Sequence, residues 1–266
     1  MALPNSSAHS AADGALLVEV SGSVARLTLN RPSHRNAISG AMFRAIVGAI
    51  NDADADERVR VIEIRSALTG MFCAGADIAS LCDPTPEALT AGFRQLEDCV
   101  VALRAAAKPI LTVVNGDCFG AGCSIAAASD FVIASDDARF CLPEIHLDLA
   151  PVLAAAVLYR VMQPRQLTLW AATGRRFSAQ EACERGLVTG VYSRADVDAT
   201  VATLVTELAR PSSFTIGRLK RALALVADSH SPDQAALFEL MLESASHPAT
   251  QAAVAAFLAR KRGKPA

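Results

Sequence analysis

Two short loops and one glutamate carry the residues that could do chemistry. The loops are Ala74-Gly75-Ala76-Asp77 and Gly120-Ala121-Gly122, and the glutamate is Glu144 in "RFCLPEIHLDLAP". In each loop a β-rich run ends, small residues turn the chain and a helix begins. The first N–H groups of a helix have no intrahelical partner. Two such N–H groups converging on one point make an oxyanion hole, and small residues let a carbonyl approach the backbone. That chemistry suits a thioester whose enolate must be stabilised. Glu144 follows a proline at a strand end in a largely apolar run. Desolvation there is expected to raise its pKa toward neutrality, which fits an acid/base.

The same glycines admit another reading. Gly116, Gly120 and Gly122 give GxxxGxG between a strand and a helix, and Asp136 follows a second strand about where a ribose-binding acid would stand. Three features oppose a dinucleotide site. The motif sits mid-chain, no Tyr-x-x-x-Lys pair exists, and "GMFCAGADI" is left without a role. Cys118 and Cys123 flank the second loop, but no base or cation stands near in sequence to make either a nucleophile.

The elements that must position these residues are partly legible. "ALLVEVSGSVARLTLNRP" alternates around Ser21-Gly22-Ser23 and predicts a hairpin with Val24 to Leu29 as its second strand. Ser39 opens an amphipathic helix to about Asp54. "VRVIEIRS" and "ILTVVNG" read as strands, "GMFCAGADI" as a loop, Pro86 to Leu103 and Gly120 to Ser129 as helices, and "DFVIASDDARFCLPEI" as two short strands. From Ala150 onward nearly everything reads as helix: 150–162, 165–173, 178–185, 195–209, 214–226, 232–246 and 248–262. The expected organisation is a disordered tail over 1–14, a mixed α/β core over 15–205 and a helical region over 206–266 that packs on another subunit.

Composition narrows the classes. The 266 residues are 52% hydrophobic and 20% charged, enough for a large core and not the balance of a disordered chain. A formal net charge of −2 offers no excess of cations for a phosphate backbone, so nucleic acid is not an expected partner. No run reaches the roughly 18 apolar residues of a membrane span. The opening residues lack the basic and apolar regions of a signal peptide. Seven cysteines scattered singly, without CxxC, suggest reduced thiols in the cytoplasm.

Six segments together resemble the crotonase (enoyl-CoA hydratase/isomerase) superfamily. "GMFCAGADI", "VVNGDCFGAGCSIAAASDFVIAS" and "RFCLPEIHLDLAP" look like its three core signatures in order. "LNRPSHRNAIS" looks like its N-terminal one, "GRRFSAQEACERGLVTGVY" like the stretch after the core, and "FLARKRGKP" like its C-terminus. The resemblance covers roughly residues 15–262. It implies an α/β spiral of repeated ββα units, a C-terminal helical trimerisation region, and trimers often paired into hexamers. It implies an acyl-CoA thioester substrate, coenzyme A as part of that substrate, and neither metal nor prosthetic group.

By the same resemblance the backbone N–H groups of Ala76 and Ala121 are the oxyanion donors and Glu144 is the acid/base. Position 121 is usually glycine in the family. The second carboxylate of family hydratases falls at Ser124, whose hydroxyl can hold water or a substrate oxygen but is no base near neutral pH. One retained glutamate resembles the Δ3,Δ2-enoyl-CoA isomerases, in which one base moves a proton from C2 to C4. A hydratase with a relocated water-holder and a non-catalytic acyl-CoA binder are the alternatives. Asp148 stands where the family usually has glycine and is either a candidate second carboxylate or a residue that merely sits on a turn. His146, between the two acids, reads as a structural hydrogen-bonder. "APVLAAAV" replaces a glycine-rich helix start and should reshape the acyl pocket with Val152 and Leu153. Coenzyme A is expected near Arg35, Asn36, Ala37 and Ile78, with adenine near Ala74 and Asp77 and phosphates near Arg31 and Arg35. Phe257 and Arg260 match a tail segment that in the family touches coenzyme A from a neighbouring subunit.

Overall fold

The structure is a computed structural model that describes residues 14–83, 85–228, 242 and 245–262. β1 (Leu16–Ser21) and β2 (Val24–Leu29) pair antiparallel around a two-residue turn, with Gly22 at φ +58°. Alternation along β2 buries Ala25, Leu27 and Leu29. Ser39 caps α1 (Gly40–Ala55), its hydroxyl accepting from Met42 N–H at 3.3 Å, and the Met42, Phe43, Ile46 and Ile50 stripe is buried.

Three ββ units then follow, each ending in helical structure. They are β3 (Val61–Ser66) and β4 (Gly70–Cys73) before α2 (Pro86–Ala105); β5 (Ile110–Val114) and β6 (Gly116–Phe119) before α3 (Ala121–Ala128); and β7 (Phe131–Ser135) and β8 (Arg139–Cys141) before a 3-10 turn at Pro143–Leu147 and α4 (Val152–Leu158). Each unit places its first strand in one sheet and its second in another. With β9 (Phe177–Ser178) and β10 (Gly190–Tyr192), the six-stranded sheet runs β1-β2-β3-β5-β7-β10 and the four-stranded sheet β4-β6-β8-β9. Pairing is parallel from β2 to β10 and across β4, β6 and β8.

"GMFCAGADI" is therefore not all loop: its first four residues form β4. Met71, Phe72 and Cys73 are all buried, so the strand shows no alternation, and its register shifts between Met71 and Cys73. The second sheet also needs Gly116. Its φ is +141°, and a Cβ there would lie 2.1 Å from the carbonyl carbon of Gly70. Only glycine lets β6 lie this close to β4.

α5 (Pro164–Thr173), α6 (Ala179–Glu184), α7 (Val197–Leu208), α8 (Ser213–Asp228) and α9 (Pro248–Arg262) complete the described helices. A capping box between Ser178 and Glu181 starts α6. The helix expected over 150–162 is only seven residues long, beginning after Pro151. The tail expected before residue 14 and most of the helix expected over 232–246 lie outside the described residues. α7 packs Val197 and Val201 on Val61, Leu111, Val113 and Ile133, so the large sheet is covered on both faces. α8 is tied to the core by Lys220 Nζ, which donates to Asp130 Oδ2 at 2.6 Å and to Lys108 O at 3.0 Å. No helix among the described residues is long and apolar enough to cross a membrane.

Candidate active site

The parallel order β4-β6-β8 brings the carboxyl ends of three strands side by side, and ligands favour that end of such a sheet. The segments leaving these ends carry Ala76, Ala121 and Glu144. All three line one cavity of about 530 Å³. Gly75 and Gly120 touch: a Cβ on Gly120 would lie 3.4 Å from Gly75 Cα and 2.6 Å from Glu144 Oε1. Gly120, at φ +51° and ψ −114°, is also the N-cap of α3.

The backbone donors follow from this packing. An isolated parallel bridge joins Ile38 and Ala76 through Ile38 N–H to Gly75 O and Asp77 N–H to Ile38 O, both 2.9 Å. Those bonds use the neighbours of Ala76 and leave its own N–H outside the bridge. Ala121 is the first residue of α3, so its N–H has no intrahelical acceptor. Both alanines keep the donor while adding only a methyl group.

Pro143 starts the 3-10 turn that carries Glu144, and Leu149 N–H donates to Glu144 O at 3.2 Å. The Glu144 side chain enters an apolar enclosure. Its Oε2 is buried without a hydrogen-bond partner among the described residues. Burial pushes its pKa up to about 7, and a hydrogen bond with its own backbone N–H pulls the other way. Ser124, on the first turn of α3, is fully buried and lines the same cavity, and its Oγ also has no partner among the described residues. His146 lines the cavity too, with Nε2 donating to Gly174 O at 3.2 Å, as expected of a structural hydrogen-bonder.

The remaining candidates divide. Ala74, Asp77, Ile78, Phe257 and Arg260 line the cavity. Phe257 and Arg260 reach it from α9 of the same chain, and no neighbouring subunit is needed to bring them there. Asp148 does not line it. Asp148 is exposed at φ +56° and ends the 3-10 turn, which explains why glycine suits that position. Arg35 is exposed, 3.9 Å from Asp117 Oδ2. Asn36 is not available as a side-chain ligand. It is fully buried; its Oδ1 accepts from Arg31 N–H at 2.7 Å, and its Nδ2 donates to Ser66 Oγ at 2.8 Å and Phe72 O at 3.0 Å. Arg31 Nη1 is held by Asp77 Oδ2 at 2.7 Å and by Ala37 O at 2.8 Å, which also engages the Ala37 carbonyl.

The apolar wall from α2, with Leu89, Phe93 and Leu96, has no counterpart in the sequence reading, because a helical apolar stripe looks the same whether it faces a core or a substrate. Cys73 and Cys118 are buried and inert: desolvation pushes Cys73 up to about 12 and raises Cys118 as well. The dinucleotide reading fails on topology. Gly116 is inside β6, every residue of α3 is buried, and Asp136 is exposed in the β7–β8 turn, off the cavity.

Two sheets built from ββ units, with two N–H groups left free among the described residues and a buried carboxyl at one apolar cavity, define a crotonase-type enzyme. The sequence profile of the enoyl-CoA hydratase/isomerase family matches residues 19–264, and the chain belongs to that family. It is 32% identical over 209 residues to a 2,3-dehydroadipyl-CoA hydratase of Escherichia coli K12, covering 78% of this chain and 81% of that one. It is 30% identical over 217 residues to a peroxisomal Delta(3,5)-Delta(2,4)-dienoyl-CoA isomerase of Arabidopsis thaliana, covering 76% and 77%. The crystal structure of an enoyl-CoA hydratase/isomerase from Xanthobacter autotrophicus Py2 superposes with a TM-score of 0.84 at 28% identity, over 95% of this chain and 99% of that one.

Proposed function

We propose that the protein is an enoyl-CoA isomerase that converts a 3-enoyl-CoA to a 2-enoyl-CoA with Glu144 as its one proton carrier. The observation that carries this reading is the pairing of a buried carboxyl at Glu144 with a hydroxyl, not a second carboxyl, at Ser124. The Glu144 carboxylate takes a proton from C2. The electron pair moves through the thioester, whose oxygen accepts from the N–H groups of Ala76 and Ala121. The Glu144 acid returns the proton at C4, which leaves the double bond between C2 and C3 and regenerates the carboxylate. A pKa near 7 gives both forms of the group access at neutral pH.

Ala74, Asp77 and Ile78 are assigned to the coenzyme A end of the substrate, together with Phe257 and Arg260 from the same cavity lining and Arg35 at the surface. Seven unpaired cysteines support a reducing, cytoplasmic setting. Assembly into trimers or pairs of trimers belongs to the same proposal, and exposed Leu219 and Leu223 on α8 offer a surface for a subunit contact.

One observation favours hydration of a 2-enoyl-CoA as the second reading: the partnerless Ser124 Oγ can hold a water beside Glu144. Ultraviolet absorbance separates the two. Isomerisation raises the absorbance of a 3-enoyl-CoA as the double bond conjugates with the thioester. Hydration leaves that trace flat and bleaches a 2-enoyl-CoA. Ser124→Ala should keep isomerisation within a few-fold, and loss of hydration in that variant would move the assignment to the second reading. Flat traces with both substrates, with acyl-CoA binding intact, would leave a binding protein.

A further inference from the structure

A second apolar groove lies directly behind the reaction cavity. It has a volume of about 670 Å³ and is lined from α4 and α5 by residues that include Ala155, Ala156, Tyr159, Leu167, Ala171 and Ala172. The wall between the two spaces is one layer of chain. In the 3-10 turn, Glu144 and His146 line the reaction cavity while Ile145 lines the groove. In α4, Leu153 and Ala154 line the cavity while Ala155 and Ala156 line the groove. Pro151 and Val152 line both. Neither is fully buried, and Val152, the first residue of α4, is not among the buried residues of that helix. Four alanines keep the groove open, and Thr168 and the Tyr159 hydroxyl are the only side-chain polar groups among its described lining residues.

We propose that Val152 is a partition that sets acyl-chain length, and that the groove behind it fits the distal methylenes of a long-chain acyl-CoA once the partition is trimmed. The shared lining at Pro151 and Val152, with only that partition between the two spaces, commits the groove to the substrate's own hydrocarbon tail. The proposal rests on an acyl thioester occupying the reaction cavity, as argued above, but not on which reaction Glu144 performs.

Binding tests it without turnover. Calorimetry with butanoyl-CoA and hexadecanoyl-CoA gives a ratio of dissociation constants for each protein. Val152→Ala should shift that ratio toward hexadecanoyl-CoA by about tenfold or more, the scale of one or two methylenes entering an apolar pocket. Adding Ala156→Phe, which fills the groove from its own wall, should cancel the shift. A ratio unchanged by Val152→Ala overturns the proposal. So does a gain that survives Ala156→Phe, or an Ala156→Phe single variant whose main effect is a change of oligomeric state by light scattering, since the groove would then belong to a subunit interface. A wild type that binds acyl-CoA yet isomerises none refutes the isomerase reading and leaves the partition to be judged on the binding ratio.

Discussion

The Glu144 carboxyl is held by two opposing requirements, and both are measurable. Catalysis needs it ionised before C2 gives up its proton, so kcat/KM should rise with pH along an acidic limb whose apparent pKa is near 7. Glu144→Gln should remove about a hundredfold to ten-thousandfold of the rate at any pH. Folding prefers the opposite form. The folded-state pKa is raised from 4.5 to about 7, so the native protein holds its proton more tightly than the unfolded chain. The stability this provides is full below about pH 4.5 and is lost as pH rises through about 7. Relative to wild type, Glu144→Gln should therefore gain up to about 3 kcal/mol at pH 8 and little at pH 4, at about 1.36 kcal/mol per pKa unit. Urea unfolding at the two pH values measures it. An equal difference at both would mean that folding does not raise the pKa of this carboxyl.

At the scale of the element, the site depends on how closely β4, β6 and β8 can lie. Gly22→Ala and Gly116→Ala separate conformation from space. Both glycines have positive φ, but a Cβ on Gly22 meets nothing within 4 Å while one on Gly116 would strike the Gly70 backbone. The first change should cost about 1–2 kcal/mol, the ordinary penalty for a left-handed residue. The second should cost more than twice that, or prevent folding, by driving β6 off β4. Chemical denaturation of the pair tests this, and equal costs would refute the steric account. The same short strands show where sequence reasoning stops. The hairpin, α1 and the long apolar strands of the large sheet are legible because their periods run over many residues. β4 and β6 are four residues each and buried along most of their length, so no period appears. The two small-residue loops and the glutamate behind a proline are legible by type, while the choice of Ala76 and Ala121 within the loops comes from the family resemblance. The fold brings both alanines and Glu144 to one cavity, although Ala76 lies in a bridge before a 3-10 turn and not at a helix start. The inward turn of Asn36 and the capture of Arg31 by Asp77 are not legible, because those bonds join residues up to 46 apart. Asp148 could be read by type as an acid or as a turn residue, and its left-handed backbone and exposure mark the turn.

For the whole molecule, the face of α8 poses the remaining question. Its inner side is accounted for: Gly217 lies against Ala107, and Lys220 reaches Lys108 O and Asp130. Leu219 and Leu223, one helical turn apart on the outer side, are 55% and 61% exposed. Two adjacent exposed leucines on a helix whose other face is anchored make this side of α8 the candidate subunit contact. A heavier particle than one 27.8 kDa chain is therefore expected in light scattering. Leu219→Lys with Leu223→Lys should convert it to single chains, because two cations cannot be buried against an apolar partner without a counter-charge. The cavity is lined within one chain, α9 included, so these single chains should still bind acyl-CoA. If the wild type already runs as one chain, the outer face of α8 is not an interface. If the double variant stays assembled, the contact is made elsewhere, and the groove between α4 and α5 becomes the first place to look.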